Sequence, residues 1–199
     1  MSQIPPPAPT RVLSAEDEPL VWIDCEMTGL DPKHDRLLEI ACIVTDGQLQ
    51  PVDEGVSYVI RTEPHILEGM DEWCTKTHSQ TGLYAACLDE ACSHPHLDVR
   101  TAILAYVLDR VPTARKACLA GSSVHADKMF LVNEMPELMA HLHYRIVDVS
   151  TIKELVRRWY GVSYPRPDTG ILHRYVSRCL SQSTRRYSRI HSRYDIHTH

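Results

Sequence analysis

The chain has 199 residues, 43% of them hydrophobic, and a formal net charge of −5. That length supports one domain with a sizeable core, and the acidic balance excludes a protein that coats long nucleic acid through many phosphate contacts. No apolar run reaches the length of a membrane span, so no membrane partner is expected. The seven scattered cysteines lack a CxxC pair and read as reduced thiols of an intracellular protein.

Residues 1–19 are proline-rich and then acidic (Glu16, Asp17, Glu18), the composition of a disordered lead-in. Such acids also argue against a mitochondrial presequence, which is Arg-rich and acid-poor. Strands are expected at Leu20–Asp24, Leu37–Thr45 and Ser57–Ile60, and helices at Gln80–Ala91 and Asp98–Leu108. Between those helices, Cys92, His94 and His96 could be read as zinc ligands. Pro95 and the lack of a second ligand pair favour a solvated loop. A short buried strand (Ala117–Gly121), a helix (Ala126–Glu134), a strand (Ile146–Val149) and a helix (Thr151–Trp159) complete the order. Strands first, then alternating helices and strands, imply an α/β domain of three layers.

The stretch from Val21 to Asp31 carries the chemistry. An apolar run ends in Asp24 and Glu26, spaced i, i+2, which on a strand places both carboxylates on one face. Two anions held together repel, so the pair points to a cation between them, and hard oxygen donors suit Mg²⁺ or Mn²⁺. The alternative is an edge strand with two solvated acids. Asp is disfavoured in strands and Trp22-Ile23 reads as buried, which weighs against it.

This segment and Arg36–Asp46 resemble the first motif of the oligoribonuclease family, 3′→5′ exonucleases that use four acids and a histidine. The likeness continues through Met70–Trp73, Thr77-His78, Gly121–Asp127 and His143–Thr151, covering roughly 20–174 as one exonuclease domain. It implies a ribonuclease H-like fold with a mixed five-stranded sheet flanked by helices. It also implies a cytoplasmic or mitochondrial homodimer acting on short single-stranded RNA.

By the same resemblance Asp24, Glu26 and Asp127 are metal ligands, although spacing alone would make Asp127 a helix-start residue favoured by the dipole. Two Mg²⁺ or Mn²⁺ ions roughly 4 Å apart would serve the hydrolysis. Ser123 matches the family's phosphate-binding serine, while Ser122 stands where the family usually has Asn. Leu30 and Trp73 match residues that wedge and stack against bases; a stacked aromatic reads any base. A lone Trp is more often core, but the polar run 71–76 favours the surface. His143, Tyr144 and Arg145 match a trio that crosses the dimer interface to cap the substrate's 5′ end, with Tyr144 affecting catalysis. Read without the resemblance, the trio is an amphipathic strand entry.

The pattern breaks at the end. The family's last motif is a histidine followed four and five residues on by Asp-Asp, the second Asp being the fourth ligand. His173 matches the histidine, the base that takes a proton from the attacking water, but Ser177 and Arg178 hold the Asp-Asp positions. His191–Ile196 imitates the motif late and with a single acid, Asp195. Residues 175–199, rich in Arg, Ser, His and Tyr, read as an atypical, poorly ordered tail. Arg174-Tyr175-Val176 can be encoded by AGGTATGT, the form of an exon end followed by a splice donor, so a translated intron would explain the tail. Two other functions stay open: a catalytically impaired chain that still dimerises or binds short RNA, and a DNA-proofreading exonuclease of the same superfamily. Trp73 and the 143–145 trio argue against the second.

Overall fold

The computed structural model describes residues 4–162. His173, the rest of the last motif and the tail from Tyr175 lie outside the described residues.

A mixed sheet forms the middle layer. Its strands are β1 (Leu20–Met27), β2 (Leu37–Thr45), β3 (Val56–Ile60), β4 (Ser93–His94), β5 (Cys118–Gly121) and β6 (His143–Asp148). The order across the sheet is β4-β3-β2-β1-β5-β6. β1, β2 and β3 form an antiparallel meander, whereas β5 pairs parallel to β1 and β6 parallel to β5. The expected five strands are present, and the sixth is the two-residue β4, which pairs parallel to β3. Cys92, His94 and His96 therefore sit around a short edge strand and the start of a helix, not in a free loop.

The helices are α1 (Pro64–Glu68), α2 (Glu72–Thr81), α3 (Leu83–Leu88), α4 (His96–Arg110), α5 (Val124–Glu134), α6 (Pro136–His141) and α7 (Val149–Tyr160). One continuous helix near 80–91 is not found. Gly82 adopts φ 78°, a left-handed conformation that ends α2 and opens α3.

Strand alternation divides the core. Val21, Ile23, Ile40, Cys42 and Val44 point to one face, where Val99, Ile103 and Tyr106 of α4 and Phe130 and Leu131 of α5 cover them. On other ground α2 and α3 bury Cys74, Leu83 and Cys87 against Leu38 and Val59. A small cluster, Trp22, Ile43, Ala120 and Val149, occupies the face that Asp24 and Glu26 share by alternation. Each layer thus has its own apolar contacts, which is the three-layer arrangement.

Residues 4–19, read from composition as a disordered lead-in, lie along the domain in this structure. Leu13 is buried and its amide donates to the Arg110 carbonyl at 2.7 Å. The Arg110 guanidinium is wholly buried: it donates to Asp53 at 2.6 Å, to the Tyr106 carbonyl at 2.9 Å and to the Pro7 carbonyl at 2.8 Å. Thr10 donates to the Val52 carbonyl. A buried cation must find acceptors, and Pro7 supplies one that the domain lacks. Composition misses this because a single apolar anchor, Leu13, is diluted by the surrounding prolines.

Candidate active site

The end of β1 is where the acids gather. Asp24 and Glu26 are half-buried on either side of the buried Cys25, so both lie on the same face two residues apart. Strand β5 pairs with β1 only over Leu20–Trp22, and beyond that point the chain leaves the sheet to start α5. Gly121 sits at this exit. A Cβ there would stand 2.9 Å from the Ile23 carbonyl oxygen and 2.8 Å from Val124, so only glycine allows the close approach.

One turn into α5, Asp127 fills the gap left by the departing strand. Its Oδ1 accepts the Cys25 amide at 2.8 Å, taking the place of a ladder partner. The third predicted ligand is therefore attached to the backbone between the first two. Asp127 is 7% exposed, and burial lifts its carboxyl pKa to about 6; the Cys25 amide opposes that rise and the charge of Asp24 adds to it. The Cys25 thiol is pushed far up by burial and then by the charges of Asp127 and Asp24. These acids share one field.

A further acid faces them that sequence reasoning overlooked. Glu39 is directly opposite Glu26 in the β1–β2 register, is 8% exposed and accepts a hydrogen bond from Ser57 Oγ at 3.1 Å. Like charges opposite each other destabilise a sheet. The signal lay in the pairing, which depends on register and cannot be counted along one strand.

The donor chemistry fits a hard divalent cation: half-buried carboxylate oxygens that repel until a cation separates them. Among the described residues, however, no three His, Cys, Asp or Glu side chains are close enough together to hold a metal ion. Asp24, Glu26 and Asp127 supply the right donors without closing them into a cage.

The residues expected to touch substrate lie on several elements of the domain. Leu30 is 74% exposed on the loop after β1, a loop organised by Asp35, which accepts from Thr28 Oγ1 at 2.8 Å and the Asp31 amide at 2.9 Å. Trp73 is 70% exposed in the first turn of α2, where Asp71 caps the helix by accepting the Cys74 amide at 2.7 Å. It is a surface residue, as the polar run foretold. His78, on the same helix, is buried with Nε2 2.9 Å from the Met27 carbonyl oxygen, tying α2 to the end of β1. Ser123 is the N-cap of α5 in a left-handed conformation, φ 58° and ψ 31°. His143, Tyr144 and Arg145 begin β6, the sheet's outer strand; the first two rings stack at 4.4 Å and the Arg145 guanidinium lies 5.3 Å from the Tyr144 ring. Tyr144 is exposed, and one strand, β5, lies between its strand and β1 in the sheet order.

Comparison with known proteins bears on the domain as a whole. The RNase T exonuclease family model matches residues 21–169. A probable oligoribonuclease of Schizosaccharomyces pombe is 46% identical over 80% of this chain and 62% of its own. An oligoribonuclease of Cutibacterium acnes is 48% identical over 71% of this chain and 68% of its own, and the mitochondrial oligoribonuclease of Mus musculus 43% over 73% and 60%. The chain thus spans about three-fifths to two-thirds of the length of these relatives. Among solved structures, exonuclease I of Methylocaldum szegediense aligns with a TM-score of 0.54 at 20% identity over 76% of this chain and 32% of its own, a likeness of fold.

Proposed function

The chain belongs to the oligoribonuclease family of exonucleases, and on that premise we propose that it hydrolyses short single-stranded RNA from the 3′ end, releasing nucleoside monophosphates as a homodimer. The observation that carries this reading is the seat of Asp127 on the Cys25 amide, between Asp24 and Glu26. A buried acid whose pKa is raised to about 6 by burial and a neighbouring carboxylate is a group waiting for a cation.

Asp24, Glu26 and Asp127 would hold two Mg²⁺ or Mn²⁺ ions. When bound, these supply an activated water and neutralise charge developing on the scissile phosphate. The protein's own groups do the rest. Leu30 and Trp73, both exposed, wedge and stack against the bases without reading their identity. Ser123 binds a substrate phosphate at the start of α5. His143, Tyr144 and Arg145, reaching from the second protomer, cap the 5′ end and restrict the substrate to a few nucleotides. His173 takes the proton from the attacking water. No helix is long and apolar enough to cross a membrane among the described residues. Mitochondrial relatives and the cytoplasm are both compatible with such a role.

A second reading has its own observation. Ser177 and Arg178 occupy the positions of the last Asp-Asp, and a guanidinium in place of a carboxylate repels the ion it should hold. On this reading the chain is catalytically impaired while keeping its capacity to bind short RNA and dimerise. A 5′-labelled tetranucleotide incubated with Mn²⁺, with and without EDTA, tests the proposal. A ladder shortening from the 3′ end that EDTA stops is the expected result. Binding of the labelled RNA with no shortening at stoichiometric protein selects the second reading.

A further inference from the structure

One carboxylate outside the proposed ligand set ties three elements together through its hydrogen bonds. Asp148, the last residue of β6, accepts through Oδ1 the Ser123 amide at 2.9 Å, the Ser150 amide at 2.9 Å and Ser150 Oγ at 2.6 Å. Its Oδ2 lies 3.2 Å from His125 Nδ1. The residue ends the parallel ladder opposite Gly121 and caps α7 in the same position. We propose that Asp148 is the positioning residue of the acidic site, setting where α5 starts and thereby where Asp127 meets β1. This rests on the functional reading above only for its consequence, not for its geometry.

The argument runs along the chain from Gly121. That glycine brings β5 against Ile23, and the next residues must turn into α5 at once. Ser123 makes the turn in a left-handed conformation that is unfavourable for a non-glycine residue. Such a conformation persists only where the surroundings impose it, and the bond from the Ser123 amide to Asp148 is that imposition. Four residues later Asp127 reaches the Cys25 amide. The far end of α5 is also fixed, Glu134 accepting the Leu37 amide at 3.1 Å. Release at Ser123 therefore leaves the helix hinged at its C-terminal end, and Asp127 is the group that moves. Because Asp148 belongs to β6, the same bonds hold the strand bearing Tyr144 and Arg145 in step with α5.

Amide hydrogen exchange at Cys25 reports the seat of Asp127 with or without metal. Asp148→Ala should speed exchange at Cys25 about tenfold relative to the amide of Ile43 in β2. Asp148→Asn, which keeps the Oδ1 that takes three of the bonds, should restore it to within a few-fold. Should the alanine variant fail to fold, Asp148→Glu carries the test, since its carboxylate is displaced by a methylene and should release Cys25 as alanine does. Mn²⁺ affinity in the intact chain should fall several-fold with Asp148→Ala. Equal acceleration at Cys25 and Ile43, or none at either, overturns the proposal and leaves Asp148 a helix cap. A parent chain that binds no Mn²⁺ while Cys25 responds as expected overturns the metal reading and keeps the positioning role.

Discussion

Asp127 Oδ1 and the Cys25 amide are joined at 2.8 Å across 102 residues of sequence. The bond puts a side chain where strand β5 would have supplied a carbonyl, so the gap in the sheet and the acidic site are the same feature. Asp24 and Glu26 flank that amide, and each depends on the strand's alternation for its direction.

Asp24→Ala or Glu26→Ala should abolish nuclease activity and leave the fold intact. Removing one of two repelling acids costs little packing, and without metal the stability should hold or rise. Circular dichroism and urea unfolding beside the RNA assay check this. Activity within a few-fold of the parent in either variant refutes its assignment as a ligand.

The folded pKa of Asp127, about 6, lies above its usual 3.8, so the folded state holds this proton more tightly than the unfolded chain. The sign follows: in metal-free protein, Asp127's contribution to stability is greatest below about pH 4 and is lost as pH rises through about 6. Asp127→Asn should lack this trend. Urea unfolding of both proteins between pH 4 and 7.5, without divalent ions, should show the parent losing stability relative to the variant. Metal binding runs the other way, strengthening as pH rises through about 6 because protons no longer compete. A parent-to-variant difference that does not change with pH contradicts the shift.

Leu13→Ala should destabilise the domain by about 2–5 kcal/mol, the range for truncating a buried leucine. Deleting residues 1–13 should cost more, because Arg110 then loses the Pro7 carbonyl and keeps its buried charge. Denaturant midpoints measure both. An unchanged midpoint on deletion would mean that the segment contributes nothing to the fold.

Much of this was legible in the sequence, for reasons that differ by element. Leu37–Thr45 was readable to its ends because eight of its nine residues are buried, and all but Glu39 and Thr45 are apolar. Helix α2 was not, since Cys74 and His78 are its only buried residues and a polar surface helix carries no apolar period. Asp24 and Glu26 could be picked out by spacing alone. Asp127 needed the resemblance, as one acid in the first turn of a helix is ordinary. Glu39 and Asp148 were illegible because their meaning lies in cross-strand register and in partners 25 residues away.

Tyr144→Phe should lower turnover more than it weakens the proposed dimer, given an exposed ring at the outer strand. Mixing it with Asp24→Ala protein should restore part of the activity if the hydroxyl serves the second protomer's site. No restoration confines Tyr144 to its own subunit.

The most direct measurement compares dinucleotide hydrolysis by this chain and by the double variant Ser177→Asp, Arg178→Asp, both with Mn²⁺ and both with EDTA controls. The account predicts slow hydrolysis that EDTA abolishes in the chain as it stands, and a gain of orders of magnitude in the variant, because a fourth ligand and a held base act together in one transition state. Equal rates for the two proteins, or hydrolysis that survives EDTA, would contradict it.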